Sequence, residues 1–138
     1  MGQILKSAMP AAACLAALLA TALPASAQES WRPASRAGQQ RAFIDTSSLR
    51  RTGDKVRFRR EIRMGETRSF SDGTRYDRIG SFMEMDCRAR TLQTLEAYAM
   101  LGAAVVVRQD GDGQIEPVRA GSTADADLRA ACFNEWPG

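Results

Sequence analysis

Residues 55–64 read Lys55-Val56-Arg57-Phe58-Arg59-Arg60-Glu61-Ile62-Arg63-Met64. Val56, Phe58, Ile62 and Met64 fall on one parity, and Arg57, Arg59, Glu61 and Arg63 on the other. A period of two predicts a strand with one face on a core and one in water. Arg60 interrupts the apolar face, and is expected at its margin. Just before this strand, Arg50-Arg51-Thr52-Gly53-Asp54 is turn-like, with Gly53-Asp54 supplying the bend. Further upstream, Ala42-Phe43-Ile44 is a short apolar run ahead of Asp45-Thr46-Ser47-Ser48-Leu49. Residues 28–40 are polar, with Trp31 the one large apolar group.

Downstream, residues 65–73 are polar and carry the turn signal Asp72-Gly73. Residues 76–87 follow as a second strand, in which Ile79, Met83, Met85 and Cys87 share a parity, so Cys87 faces the core. Residues 88–101 are ambiguous: Leu92, Leu95 and Ala99 sit at helical spacing, and composition alone favours a helix. Gly102 breaks that pattern. Residues 104–107 are rich in β-branched residues and read as a strand, residues 109–114 as a loop, and residues 115–118 as a short extended piece around Pro117. The chain closes on a predicted helix. Ser122-Thr123-Ala124-Asp125 resembles a capping box, and Asp125 and Asp127 lie in the first turn, where the helix dipole favours acids. Ala124, Leu128, Ala131 and Cys132 share a face that would press on the sheet and bring Cys132 to Cys87.

Residues 1–27 stand apart from this pattern. Lys6 is their one charge, an Ala- and Leu-rich run follows from Ala8, and the segment ends on Ala25-Ser26-Ala27. These are the n-region, h-region and cleavage site of a secretory signal peptide, leaving 28–138 as a single domain. The apolar run contains Pro10 and is shorter than the roughly 20 residues a spanning helix needs, so no transmembrane span is expected. Cys14 leaves with that segment. Cys87 and Cys132 remain as an even pair in an exported chain, for which a disulfide is the default.

The 138 residues carry 19 Lys+Arg against 16 Asp+Glu, a formal charge of +3, and no histidine. Without histidine there is no Ser-His-Asp or Cys-His catalysis and no imidazole zinc ligand. Asp110-x-Asp112-Gly113 hints at a calcium loop, but the next ligand position holds Gln114 and the glycine is misplaced, so a hairpin turn is the better reading. Asp45 with Asp54, and Glu84 with Asp86, are the carboxylate pairs that could do acid–base work, yet nothing in the sequence buries them together. The expectation is a domain that is not an enzyme and needs no metal or cofactor. Export also makes nucleic acid an unsuitable partner, and core packing accounts for most of the aromatic residues.

The ordered motifs, taken together, carry a resemblance. They run Trp31; Phe43-Ile44-Asp45; Ser48-Leu49-Arg50-Arg51-x-Gly53-Asp54-x-Val56; Tyr76; Glu84-x-Asp86-Cys87-x-x-Arg90; Gly102-x-x-Val105-Val106; Pro117-Val118-x-x-Gly121-Ser122; and Cys132. Over residues 31–132 the chain resembles the surface-adhesin protein E family of small exported bacterial domains. The resemblance implies an α+β fold: an antiparallel sheet of about six strands, a C-terminal helix packed on it, and a Cys87–Cys132 tie. It also implies that 88–101 is a strand, against its helical composition. It further implies a non-catalytic binding domain of the cell envelope, similar to adhesins that bind host matrix proteins. A periplasmic accessory or inhibitor module acting on another envelope protein is the alternative. The periplasm or the cell surface is the expected location, and a homodimer is plausible. Ile115 stands where the family usually has Trp.

Arg57, Arg59 and Arg63 alternate along one strand and leave the sheet on one side, about 7 Å apart for neighbours two positions along. Arg50 and Arg51 could extend them. An arginine row of this kind suits sulfated glycans or acidic protein surfaces, because the planar guanidinium matches sulfate and carboxylate. The five arginines are therefore the candidate ligand-binding patch, with a protein or an anionic glycan surface as partner. The competing reading is a solvated face whose charges pair with neighbours such as Glu84 and Asp86.

Overall fold

The computed structural model describes residues 29–138. The segment read as a signal peptide lies outside the described residues. One antiparallel sheet takes six strands in chain order: β1 (Trp31–Ala37), β2 (Gln40–Thr52), β3 (Lys55–Ser69), β4 (Arg75–Asp86), β5 (Thr91–Leu101) and β6 (Ala104–Asp110). A short β7 (Ile115–Pro117) pairs with the part of β5 that β6 leaves free, and α1 (Thr123–Phe133) follows.

The strand read from residues 55–64 extends to Ser69, and Gly53-Asp54 makes the tight turn that feeds it, with Gly53 at φ +60. That left-handed conformation is one that glycine adopts without steric cost. The polar stretch before Ala42 forms β1, an edge strand with two apolar residues at most on its inner side; Ala34 alone is fully buried there. Residues 91–101 are a strand, as the resemblance implies and composition does not. β5 lies between β4 on one side and β6 and β7 on the other, so its backbone is hydrogen-bonded along both edges. Such a position overrides helix propensity.

The two faces of the sheet differ in kind. Ile44, Val56, Phe58, Met83 and Met85 point to the side covered by α1, where they meet Leu128, Ala130 and the disulfide. Cys87 and Cys132 are bonded, closing a loop of sequence separation 45. On the chain-entropy model a loop of that length stabilises by roughly 4 kcal/mol. The helix starts as the sequence indicates: Ser122 is the N-cap and its hydroxyl accepts from the Asp125 amide. Asn134 ends it in the left-handed conformation, returning its N–H to the Ala130 carbonyl. Arg60, which broke the apolar parity of β3, points to this same covered side and pairs with Asp127 of α1 at 2.6 Å.

Candidate functional site

Among the described residues no helix lies on the second face. Cross-strand register assigns its occupants row by row. One row runs Arg50, Arg57, Glu84, Gln93 across β2 to β5, and the next runs Asp45, Arg59, Phe82, Glu96. A third runs Phe43, Glu61, Gly80, Tyr98. Arg57, Arg59 and Arg63 thus share this open face, and Arg50 joins them as the partner of Arg57. Arg51 does not. It pairs with Val56 in register, turns to the covered side, and donates to the Cys132 carbonyl at 2.9 Å near the C-terminus of α1. A cation is favourable there because the helix dipole is negative at that end.

Each arginine of the strand row has its own acceptor. Arg57 donates to Glu84 at 2.6 Å, and Lys55 approaches the same carboxylate at 3.6 Å. These cations hold the Glu84 carboxyl below its ordinary range, Arg57 contributing most. Arg59 donates to Glu29 at 2.8 Å and lies 3.9 Å from Asp45. The Glu29 carboxyl is lowered by that bond and by the Trp31 indole N–H, which donates to it at 3.0 Å. Arg63 donates to Glu61 at 2.9 Å. Arg50 has no carboxylate partner among the described residues; it donates to the backbone carbonyls of Ser47 and Leu49.

Between these ion pairs the arginines stack on aromatic rings. The Arg41 guanidinium sits 5.6 Å from the Phe43 centroid, and Arg63 sits 4.1 Å from the same ring and 5.9 Å from Trp31. Arg59 is 5.3 Å from Trp31 and 5.8 Å from Phe82. The result is an alternating ladder, Arg41–Phe43–Arg63–Trp31–Arg59–Phe82, drawn from four strands. Such contacts are worth roughly 0.5–1 kcal/mol each at exposed sites and hold long side chains in fixed positions. Phe82 remains 37% exposed at the end of the ladder. At the turn end of the face, a depression of about 550 Å³ is lined by Arg50, Thr52, Lys55, Arg57 and Glu84. Sequence reasoning missed the ladder because its members lie far apart in the chain. Only the register brings Trp31, Phe43 and Phe82 beside Arg59 and Arg63.

Of the carboxylates weighed for acid–base work, Asp45, Glu84 and Asp86 are engaged. Asp45 accepts the amides of Ser30 and Ser47 and the Ser47 hydroxyl, and these bonds outweigh its burial to lower its pKa. Asp86 caps the amides of Arg88 and Ala89. The Gln114 amide donates to the Asp112 carboxylate at 2.9 Å, a turn bond in keeping with a hairpin reading of that loop. Among the described residues no group of three or more metal-ligating side chains comes together, and no helix there is long and apolar enough to cross a membrane.

The family model described as Surface-adhesin protein E matches residues 31–133. Solved structures of Haemophilus influenzae protein E share the fold. One crystal form aligns with a TM-score of 0.54 at 11% identity, covering 78% of this chain and 98% of that one. The protein from non-typeable Haemophilus influenzae aligns with a TM-score of 0.56 at 11% identity, covering 80% of each chain. At that identity the likeness speaks for the fold alone. Among curated proteins none matches.

Proposed function

The chain belongs to the surface-adhesin protein E family, and on that premise we propose that it is an exported, non-catalytic adhesion domain that binds host-surface macromolecules through its open sheet face. The observation that carries this reading is the arginine–aromatic ladder. It fixes cationic and aromatic groups on the sheet face that, among the described residues, neither α1 nor another strand covers. Arg and aromatic residues are the types that dominate binding energy at protein surfaces. Arg50, Arg57, Arg59 and Arg63 are the contact residues of the original patch that lie on this face. Protease treatment of intact cells tests the location: cleavage of the domain supports adhesion. Protection until the outer envelope is opened contradicts it and favours the periplasmic accessory role.

Self-association belongs to the same reading. β6 ends the sheet, every residue of it is exposed, and Val105, Val106 and Val107 are 44%, 37% and 37% exposed. An apolar edge of this kind, with no Lys or Pro to protect it, is a template for another strand. Antiparallel pairing of two β6 edges gives a homodimer. Light scattering of the wild type is expected to show a dimer at micromolar concentration and Val106→Lys a monomer. A wild-type monomer at high micromolar concentration contradicts the pairing.

A further inference from the structure

The register places four arginines in one line across the open face, perpendicular to the strand row. Arg36 of β1 pairs with Arg41 of β2, Arg41 with Arg63 of β3, and Arg63 with Arg78 of β4. With strands about 4.8 Å apart, the line spans roughly 15 Å. Like charges directly opposite one another destabilise a sheet, so four in succession run against folding stability. The fold offsets part of that repulsion from one side only. Glu61, 3% exposed in the next row, accepts from Arg63 at 2.9 Å and from Arg78 at 3.2 Å. Asp77 lies 3.9 Å from Arg78 at the far end. Among the described residues neither Arg36 nor Arg41 has a carboxylate within 4.0 Å. The line therefore keeps a net positive charge, whereas the strand row Arg57–Arg59–Arg63 is matched almost cation for carboxylate.

We propose that the line Arg36–Arg41–Arg63–Arg78 is a binding site for a sulfated polysaccharide. The inference rests on the reading of the open face as the adhesive one. The Phe43 ring lies 4.1 Å from the Arg63 guanidinium and 5.6 Å from that of Arg41, and Arg63 spends its Nε–H on Glu61, which leaves the terminal N–H groups of both for anions. A guanidinium edge binds sulfate or carboxylate with two parallel hydrogen bonds. A straight series of single-sign charges matches a polymer that repeats its anions. A protein partner would instead look for an apolar centre, whereas the Phe43 ring among these arginines is buried.

Heparin affinity chromatography of the exported protein tests the site, with two triple variants that remove equal charge. Arg36→Ser/Arg41→Ser/Arg78→Ser is expected to elute at much lower salt than wild type. The slope of log affinity against log salt should fall by about one for each lost contact to a condensed polyanion. Arg50→Ser/Lys55→Ser/Arg57→Ser, at the other end of the face, is expected to keep most of the wild-type retention. Because loss of Arg78 disturbs Glu61, Arg36→Ser/Arg41→Ser, two exposed positions, carries the same expectation on a fold checked by thermal unfolding. Equal losses in the two triple variants would mean that net charge alone governs retention and would overturn the site. So would wild-type binding to an acidic polypeptide or to anionic lipid vesicles without retention on heparin. The adhesion reading fails differently: it falls if host-matrix binding survives disruption of Phe82, whatever heparin does.

Discussion

Arg60 of β3 and Asp127 of α1 close an ion pair beneath the helix, Nε to Oδ2 at 2.6 Å, with side chains 14% and 2% exposed. It joins the two layers of the fold, strand to helix. The second Asp127 oxygen has no hydrogen-bond partner among the described residues. A pair of this kind offsets a large desolvation cost and adds little net stability, but breaking it strands a buried charge. Arg60→Met alone is therefore expected to cost roughly 3 kcal/mol at neutral pH, whereas Arg60→Met with Asp127→Leu should come close to wild type. Urea denaturation of the single and double variants measures both. A double variant as unstable as the single one would show that the pair is a net stabiliser.

The same carboxyl sets part of the pH dependence. Burial pushes Asp127 up to about 6 even with Arg60 beside it. A raised carboxyl pKa means the folded state favours the protonated form. Its contribution is thus full below the ordinary value of 3.8, is lost as pH rises to about 6, and is constant above that. Glu84 and Asp45 act in the opposite sense: their lowered pKa values give stability that is present above the ordinary range and lost on acidification. The difference in thermal midpoint between wild type and Asp127→Asn isolates the first limb. It should shift against the wild type between pH 3.8 and about 6. A difference that stays flat across that window would contradict the assignment.

Gly80 is required by the ring beside it. Tyr98 is its cross-strand partner on the open face, is 7% exposed, and lies flat over the glycine, so an added Cβ would overlap the ring. Gly80→Ala is expected to cost about 1–3 kcal/mol by overpacking and to lift Tyr98 away from the sheet. The shift in urea midpoint measures the cost, and tyrosine accessibility to a solvent quencher measures the displacement. A change within about 0.5 kcal/mol, the range of ordinary surface substitutions, would mean that the ring has room to move.

Much of the architecture was legible in local pattern. The parity of Val56, Phe58 and Ile62, the Gly53-Asp54 turn and the Ser122 cap each rest on neighbours in sequence, and the Cys87–Cys132 pair on an even cysteine count in an exported chain. Parity also placed Arg57, Arg59 and Arg63 on one side. Long-range pairing was not legible. Arg60 looked like a flaw in a strand until Asp127, far along the chain, came to meet it. Arg51 looked equivalent to Arg50, yet adjacent strand residues take opposite faces, and Arg51 serves the helix terminus. Arg36, Arg41 and Arg78 carry no local signal at all; only hydrogen-bond register lines them up with Arg63. β5 shows the reverse case, where helical composition gave way to pairing along both edges of the strand.

The face that adheres can be identified with one pair of exposed phenylalanines. Phe82 ends the ladder on the open face at 37% exposure, and Phe133 stands 49% exposed at the end of α1. Both accept a charge without entering the core. Binding of the exported domain to immobilised host extracellular matrix should fall at least about tenfold in Phe82→Glu, roughly 1.4 kcal/mol, and stay within about twofold of wild type in Phe133→Glu. Retained binding in Phe82→Glu would contradict an adhesive open face, and loss in Phe133→Glu beside it would place adhesion on the helix side.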